Sequence, residues 1–266
     1  MSLAFEPISL GYSCEVKYQL SRTLFRRKYP DGAEEDLRRM LMTPDYGQRS
    51  FERHIFDWQI TPFAAVLEYL ERDFEGVFER EDLHVEDGAV AHRRLKTRHP
   101  HDFHPYGGRL DEAAIDRGYA AARSKFDYLA GKFLAHLARP GLFLYVVKEI
   151  RIYDEAVRLS DLLRRRNPDH AFKLLFVGFE GEDQMLEGLR GEVFKAWVPA
   201  APDKPADRAW EGDDGRWDQI LRDWTFSDRA AERITRTFDE SLAGADAPPA
   251  VPRGSFRRWL SQRLGT

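Results

Sequence analysis

Leu142-Phe143-Leu144-Tyr145-Val146-Val147, then the amphipathic run Ala156 to Arg165, then Lys173-Leu174-Leu175-Phe176-Val177-Gly178, decide the fold class of this chain. Both outer runs are short, rich in β-branched and aromatic residues, and nearly continuous in their apolar character. A half-exposed strand would alternate apolar and polar residues; these runs read as strands covered on both faces, as in a parallel sheet. Strand, helix and strand in close succession form a right-handed crossover. Working outward, Val193 to Val198 predicts a further strand. Phe5 to Leu10 predicts a short buried strand of the same sheet, ended by Gly11-Tyr12-Ser13-Cys14. The expectation is an α/β fold, with a mostly parallel sheet flanked by helices.

The helices follow from spacing. Val16, Leu20 and Leu24 recur every four residues directly after Cys14, so Cys14 falls at a helix start. A short helix is expected over about 33–42. Thr61 is placed to cap a helix with Pro62 at its first position and Phe63, Val66, Leu67 and Leu70 on its inner face. Ala113 to Leu137 reads as one long helix with Ile115, Tyr119, Phe126, Leu129, Phe133 and Leu137 as its apolar stripe. Between these helices, residues 83–110 form an irregular insertion holding His84, His92, His99, His101 and His104, with strand-like pieces around Ala89–Leu95.

After Pro199 the composition turns to Pro, Asp and Gly. The organisation expected is an α/β domain over 1–200 and a helical extension over 201–266. That extension contains a helix from Trp217 to Leu221, a Pro/Ala linker at 243–254 and the basic tail Phe256-Arg257-Arg258-Trp259-Leu260. The tail reads as a solvated terminal helix, with weak contact to a membrane surface as the alternative.

Composition narrows the class of protein. The 266 residues are 42% hydrophobic and include 6 Trp, 10 Tyr and 18 Phe, too many aromatics for a disordered chain. Lys plus Arg total 41 against 45 Asp plus Glu, so no global positive field points to a nucleic-acid partner. No apolar run reaches the ~18 residues of a membrane span. The first residues, Met1-Ser2-Leu3-Ala4-Phe5-Glu6-Pro7, lack the pattern of a secretory signal, and the expected location is cytoplasmic. A single cysteine excludes an intrachain disulfide and a multi-cysteine zinc site.

Three groups of residues carry candidate chemistry. Cys14 is a small buried hydrophobe in the plain reading. At a helix start after a strand and a glycine turn, it is also placed as a nucleophile, because unpaired N–H groups lower a thiol pKa there. His99-Pro100-His101-Asp102-Phe103-His104 reads in three ways: a polar surface loop, the source of a general base, or metal ligands, with His101 and His104 or His99 and His101 reaching one ion. In Phe56-Asp57-Trp58-Gln59 the carboxylate of Asp57 either orients a histidine or caps a turn and pairs with a cation; the Gln59 amide is a candidate oxyanion donor. The charges after the second strand, Lys148 and Arg151, are placed to bind an anionic substrate group or to stand in solvent.

Taken in order, Ile8-Ser9-Leu10-Gly11-Tyr12-Ser13-Cys14-Glu15, Phe56-Asp57-Trp58 and His101-Asp102-Phe103 resemble a bacterial family of unknown function whose members are described as papain-like cysteine peptidases. The resemblance spans roughly residues 5–200. It implies Cys14 as nucleophile, His101 as its base, and Asp57 or Asp102 as the acid orienting that base. The parallel sheet read here departs from the papain-type fold, which pairs a helical lobe with an antiparallel barrel. The function expected is that of a cysteine-dependent hydrolase or peptidase acting on a small-molecule or peptide substrate, without cofactor or metal. Two other classes stand beside it. One is a non-catalytic binding module linked to surface-glycan or polysaccharide biosynthesis, with Trp58, Trp217 and Trp224 as contacts. The other is a metal-dependent hydrolase using the histidines at 99–104.

Overall fold

The computed structural model describes residues 4–42, 53–103, 110–148, 153–178, 184–185, 193–199 and 204–226. His104, Arg151, the Pro/Ala linker and the basic tail lie outside the described residues. The chain divides into two compact units that are discontinuous in sequence. One combines residues 8–17 with 54–197; the other combines 1–7, 18–53 and 198–266. The second unit thus takes in residues 18–53 as well as the extension read after position 200.

The first unit holds the sheet. Among the described residues the strand order is β1 (Glu6–Ser9), β5 (Leu142–Val147), β6 (Ala171–Gly178), β8 (Val193–Trp197) and β7 (Gln184–Met185). β5 and β6 run parallel with Leu142 opposite Ala171 and Val147 opposite Phe176. β6 and β8 run parallel with Leu174 opposite Val193, and β7 joins β8 antiparallel at the edge. Leu10, just past β1, donates its N–H to Val146 O at 2.8 Å, so β1 ends where β5 ends and runs the same way. Phe143 through Val147 and Leu174 through Val177 are buried, which is why these strands lack polar alternation.

Helices cover this sheet. α3 (Phe63–Glu71) packs against α5 (Tyr153–Arg164), and both bury apolar residues into one core with α4 (Glu112–Ala138). Asp111 caps α4 by accepting a hydrogen bond from Ala114 N at 2.9 Å. Thr61 does not cap α3, contrary to expectation. Pro62 takes the cap position with no side-chain bond, and the buried Thr61 hydroxyl has no hydrogen-bond partner. The cause is tertiary: the Thr61 carbonyl accepts from Tyr12 N at 3.1 Å, which ties residue 61 to the turn after β1.

The histidine-rich insertion is more regular than its sequence. β2 (Leu83–Glu86), β3 (Ala89–His92) and β4 (Arg98–His99) form an antiparallel sheet. Asp87 and Gly88 join the first two with φ of 46° and 72°, the two left-handed residues that a tight hairpin requires.

The second unit is built on α1 (Cys14–Lys28) from Tyr18 onward, α2 (Glu34–Met42) and α6 (Asp214–Leu221). Trp217 is fully buried, and Trp224 packs edge-to-face on Phe5 at 5.2 Å.

Candidate active site

β1 delivers the chain into a sharp turn before α1. Gly11 has φ of +91°, and a Cβ there would sit 3.1 Å from the Thr61 Cβ, so the position demands glycine. Tyr12 follows at φ of +76°, a conformation that costs a bulky residue energy and persists where surrounding structure enforces it. Cys14 then opens α1, where the first N–H groups have no intrahelical acceptor and the dipole is positive. Its Sγ lies 3.8 Å from Nε2 of His101. The strand–turn–helix and the histidine insertion therefore meet, at the carboxyl end of the parallel strands where α/β sheets place their sites.

The remaining candidates take other positions. Asp57 accepts from His54 N at 2.9 Å and pairs with Lys17 Nζ at 2.9 Å through the same oxygen. That is the turn cap and cation pair, built by residues of the turn before α3 and the first turn of α1. The other Asp57 oxygen is buried without a hydrogen-bond partner. Asp102 is bound to His99 Nδ1 at 3.3 Å and to Lys125, so the partner it orients is His99. Gln59 turns its amide nitrogen to Ile55 O at 2.5 Å, away from an oxyanion role. Lys148 forms a buried ion pair with Glu15, which sets it at the same end of the sheet as Cys14 but engages its charge. Trp58, at φ of +62°, meets the His101 ring edge-to-face at 5.9 Å.

Burial pushes the Cys14 thiol up to about 12; its own backbone N–H offsets part of the rise, and the Asp57 carboxylate adds to it. A thiol pKa raised in this way makes reaction depend on a base in contact with the sulfur. His54 is buried and held well below the usual imidazole range, by burial first and then by Lys17, His136, Lys132 and Arg139.

Two of the described histidines of the insertion turn to backbone partners. His84 Nδ1 lies 3.0 Å from Ala91 O, and His92 Nδ1 accepts from Arg94 N and Leu95 N. Among the described residues no group of three His, Cys, Asp or Glu side chains is arranged to hold a metal ion. Likewise no helix among them is long and apolar enough to cross a membrane.

Sequence reasoning missed Glu15, Lys17 and Lys125. Lys17 had a signal, since it lies one helical turn after Cys14 and so on the same face. Lys125 had none, because its meeting with Asp102 is set by the tertiary packing of α4. Compared with known proteins, the chain matches no family model, no curated protein and no solved structure.

Proposed function

We propose that this protein is a cysteine-dependent acyl hydrolase in which Cys14 is the nucleophile and His101 the general base, in keeping with the resemblance to papain-like cysteine peptidases. The observation that carries the reading is the 3.8 Å approach of Sγ to Nε2 at the opening of α1. Hydrogen-bond geometry of catalytic pairs is commonly loose without substrate and tightens on binding.

For His101 to accept the proton at Nε2, its own hydrogen must sit on Nδ1. As Sγ attacks the carbonyl carbon, the thiol proton passes to Nε2 and the carbonyl π pair moves to oxygen. The Gly11 and Tyr12 N–H groups are engaged by Ser9 Oγ and Thr61 O, which leaves the N–H groups at the opening of α1, without intrahelical acceptors, as the candidates to stabilise the developing charge. Collapse of the intermediate breaks the bond to the leaving group, which takes the proton from Nε2. Water then attacks the thioester, giving its proton to His101, and the thiol is restored.

Among the described residues, the two lysines near Cys14, Lys17 and Lys148, are each paired with a carboxylate. An uncharged acyl group, in a small molecule or a peptide, fits this neutral setting. A reactive free thiol also suits the reducing cytoplasm.

The test is the rate at which a thiol electrophile such as iodoacetamide labels Cys14 in the native and the urea-unfolded chain near neutral pH. A desolvated thiol without a base reacts more slowly folded than unfolded, whereas a base in contact makes it faster. The expected result is faster labelling in the native protein, lost in His101→Ala. Slower labelling in the native protein would refute the assignment.

A further inference from the structure

The polar residues behind His101 form an ordered chain of hydrogen bonds. The Tyr69 hydroxyl donates to Thr97 Oγ1 at 3.4 Å, and Thr97 Oγ1 lies 3.2 Å from His99 Nε2. His99 Nδ1 lies 3.3 Å from one Asp102 oxygen, and Lys125 Nζ donates to the other. Tyr69, Thr97 and His99 are buried, and His99 packs edge-to-face on Phe78 at 4.9 Å.

The direction of each hydrogen follows from the far end of the chain. Burial pushes the Asp102 carboxyl up, but His99 and Lys125 outweigh it and hold the group below the usual carboxylate range. An ionised carboxylate only accepts, so His99 carries its hydrogen on Nδ1. Nε2 is then an acceptor and takes the Thr97 hydroxyl hydrogen, while Thr97 Oγ1 accepts from Tyr69. Every member has one consistent role.

This chain closes on the turn His99-Pro100-His101-Asp102. Pro100 restricts the backbone at the second position, and the side chains of the first and fourth residues join across it. His101 occupies the third position, with Sγ of Cys14 before its Nε2 and Trp58 against its ring. We infer that Asp102, bridging His99 and Lys125, is a positioning residue that fixes the turn carrying His101, and that Lys125 completes the clamp; this rests on the Cys14–His101 reading. Asp102 acts through the backbone of the turn and takes no proton in the reaction. The dependence should be steep, because a displacement of ~1 Å between reacting groups costs on the order of 10²-fold in rate.

The experiment compares rates of Cys14 labelling by iodoacetamide across neutral pH in the full chain, with circular dichroism checking the fold. Lys125 has a side chain 36% exposed, so Lys125→Met removes the clamp's charge without opening the core. Lys125→Met and Asp102→Asn should each label about tenfold or more slowly and take the pH profile of His101→Ala. Lys125→Arg should retain most of the wild-type rate, an outcome that loss of general packing would not give. If Asp102→Asn fails to fold, Lys125→Met with its arginine control decides. Wild-type labelling of Lys125→Met beside a slow His101→Ala overturns this inference alone. Wild-type labelling of His101→Ala overturns the reading beneath it.

Discussion

Helix α1 carries two kinds of polar chemistry at its two ends. In the opening turn, Glu15 pairs with Lys148 and Lys17 with Asp57, so that charges cancel around a thiol whose near neighbour is an imidazole. Further along, Gln19 donates to Asp214 at 2.7 Å and to the Glu211 carbonyl at 2.6 Å, while Arg22 makes a two-pronged bond to Asp218 at 2.7 and 2.8 Å. Arg38, Lys204 and Arg208 all reach Glu211. The second cluster is a set of charges that satisfy one another, and it fastens segments far apart in sequence. In the first, the charged side chains around Cys14 are paired with one another, Glu15 with Lys148 and Lys17 with Asp57, and Sγ of Cys14 faces His101. Charge density therefore marks the structural end of the helix, and charge cancellation marks the reactive end.

The largest effect expected is at the reactive end. Cys14→Ala should abolish acylation by an activated ester, read as loss of the acyl mass increment on the intact protein. Its stability should change by only about 1 kcal/mol, the scale of a small buried side chain. A variant that keeps its acylation would end the contrast between the two ends.

At the structural end the signature reverses. Arg22→Met should lower unfolding free energy by about 1 kcal/mol, the cost of the lost charge-assisted hydrogen bonds, because the Asp218 and Asp214 side chains it leaves are 42% and 24% exposed and can be solvated. The rate of Cys14 labelling per native molecule should stay at the wild-type value. A fall in that rate with the fold intact would show that the two ends are coupled, and the comparison would have to be redrawn.

The same contrast explains what could be read from sequence. β5 and β6 were legible because burial on both faces forces a nearly continuous apolar composition. The long helix α4 was legible because its buried residues recur at helical spacing. Cys14 and the turn before it were legible as a local pattern, since Gly11 and the helix start are neighbours in sequence. The partners were not. Asp102 adjoins His101 in the chain yet binds His99 and Lys125, and Lys148 meets Glu15 from the end of a different strand. Such pairings arise from strand order and helix packing, which no local spacing encodes. Thr61 shows the same limit: its capping role is locally sound, and a tertiary bond to the Gly11–Tyr12 turn displaces it.

A smaller effect tests whether the ion pairs of the reactive end serve by cancelling. Lys148→Met removes the cation paired with the Glu15 carboxylate next to Cys14, which should raise the thiol pKa further and slow labelling about tenfold. The double variant Glu15→Gln/Lys148→Met removes both charges and should return to within about twofold of wild type. If Lys148 instead served to hold an anionic group of the substrate, turnover in the double variant would remain as poor as in the single.

The smallest effect concerns the resting state of the thiol. In the unfolded chain a cysteine titrates near about 8.5, whereas burial takes the folded Cys14 up to about 12. Folding therefore holds this proton more tightly. Its contribution to stability is complete below the unfolded value and is lost as pH rises through the interval between the two. Urea unfolding from neutral pH to about pH 10 should show the wild type losing stability relative to Cys14→Ala, with a slope below the ~1.4 kcal/mol per pH unit that one proton allows. A thiolate–imidazolium pair in the folded protein holds the same single proton as a thiol beside a neutral imidazole, so it leaves the sign of this slope unchanged, and the ultraviolet absorbance of the thiolate in the native protein tells the two apart. The slope thus tests whether folding holds this proton and the absorbance tests where it sits: a curve that rises with pH would refute the raised thiol pKa, and thiolate absorbance at neutral pH would place charge separation, not charge cancellation, at the opening of α1.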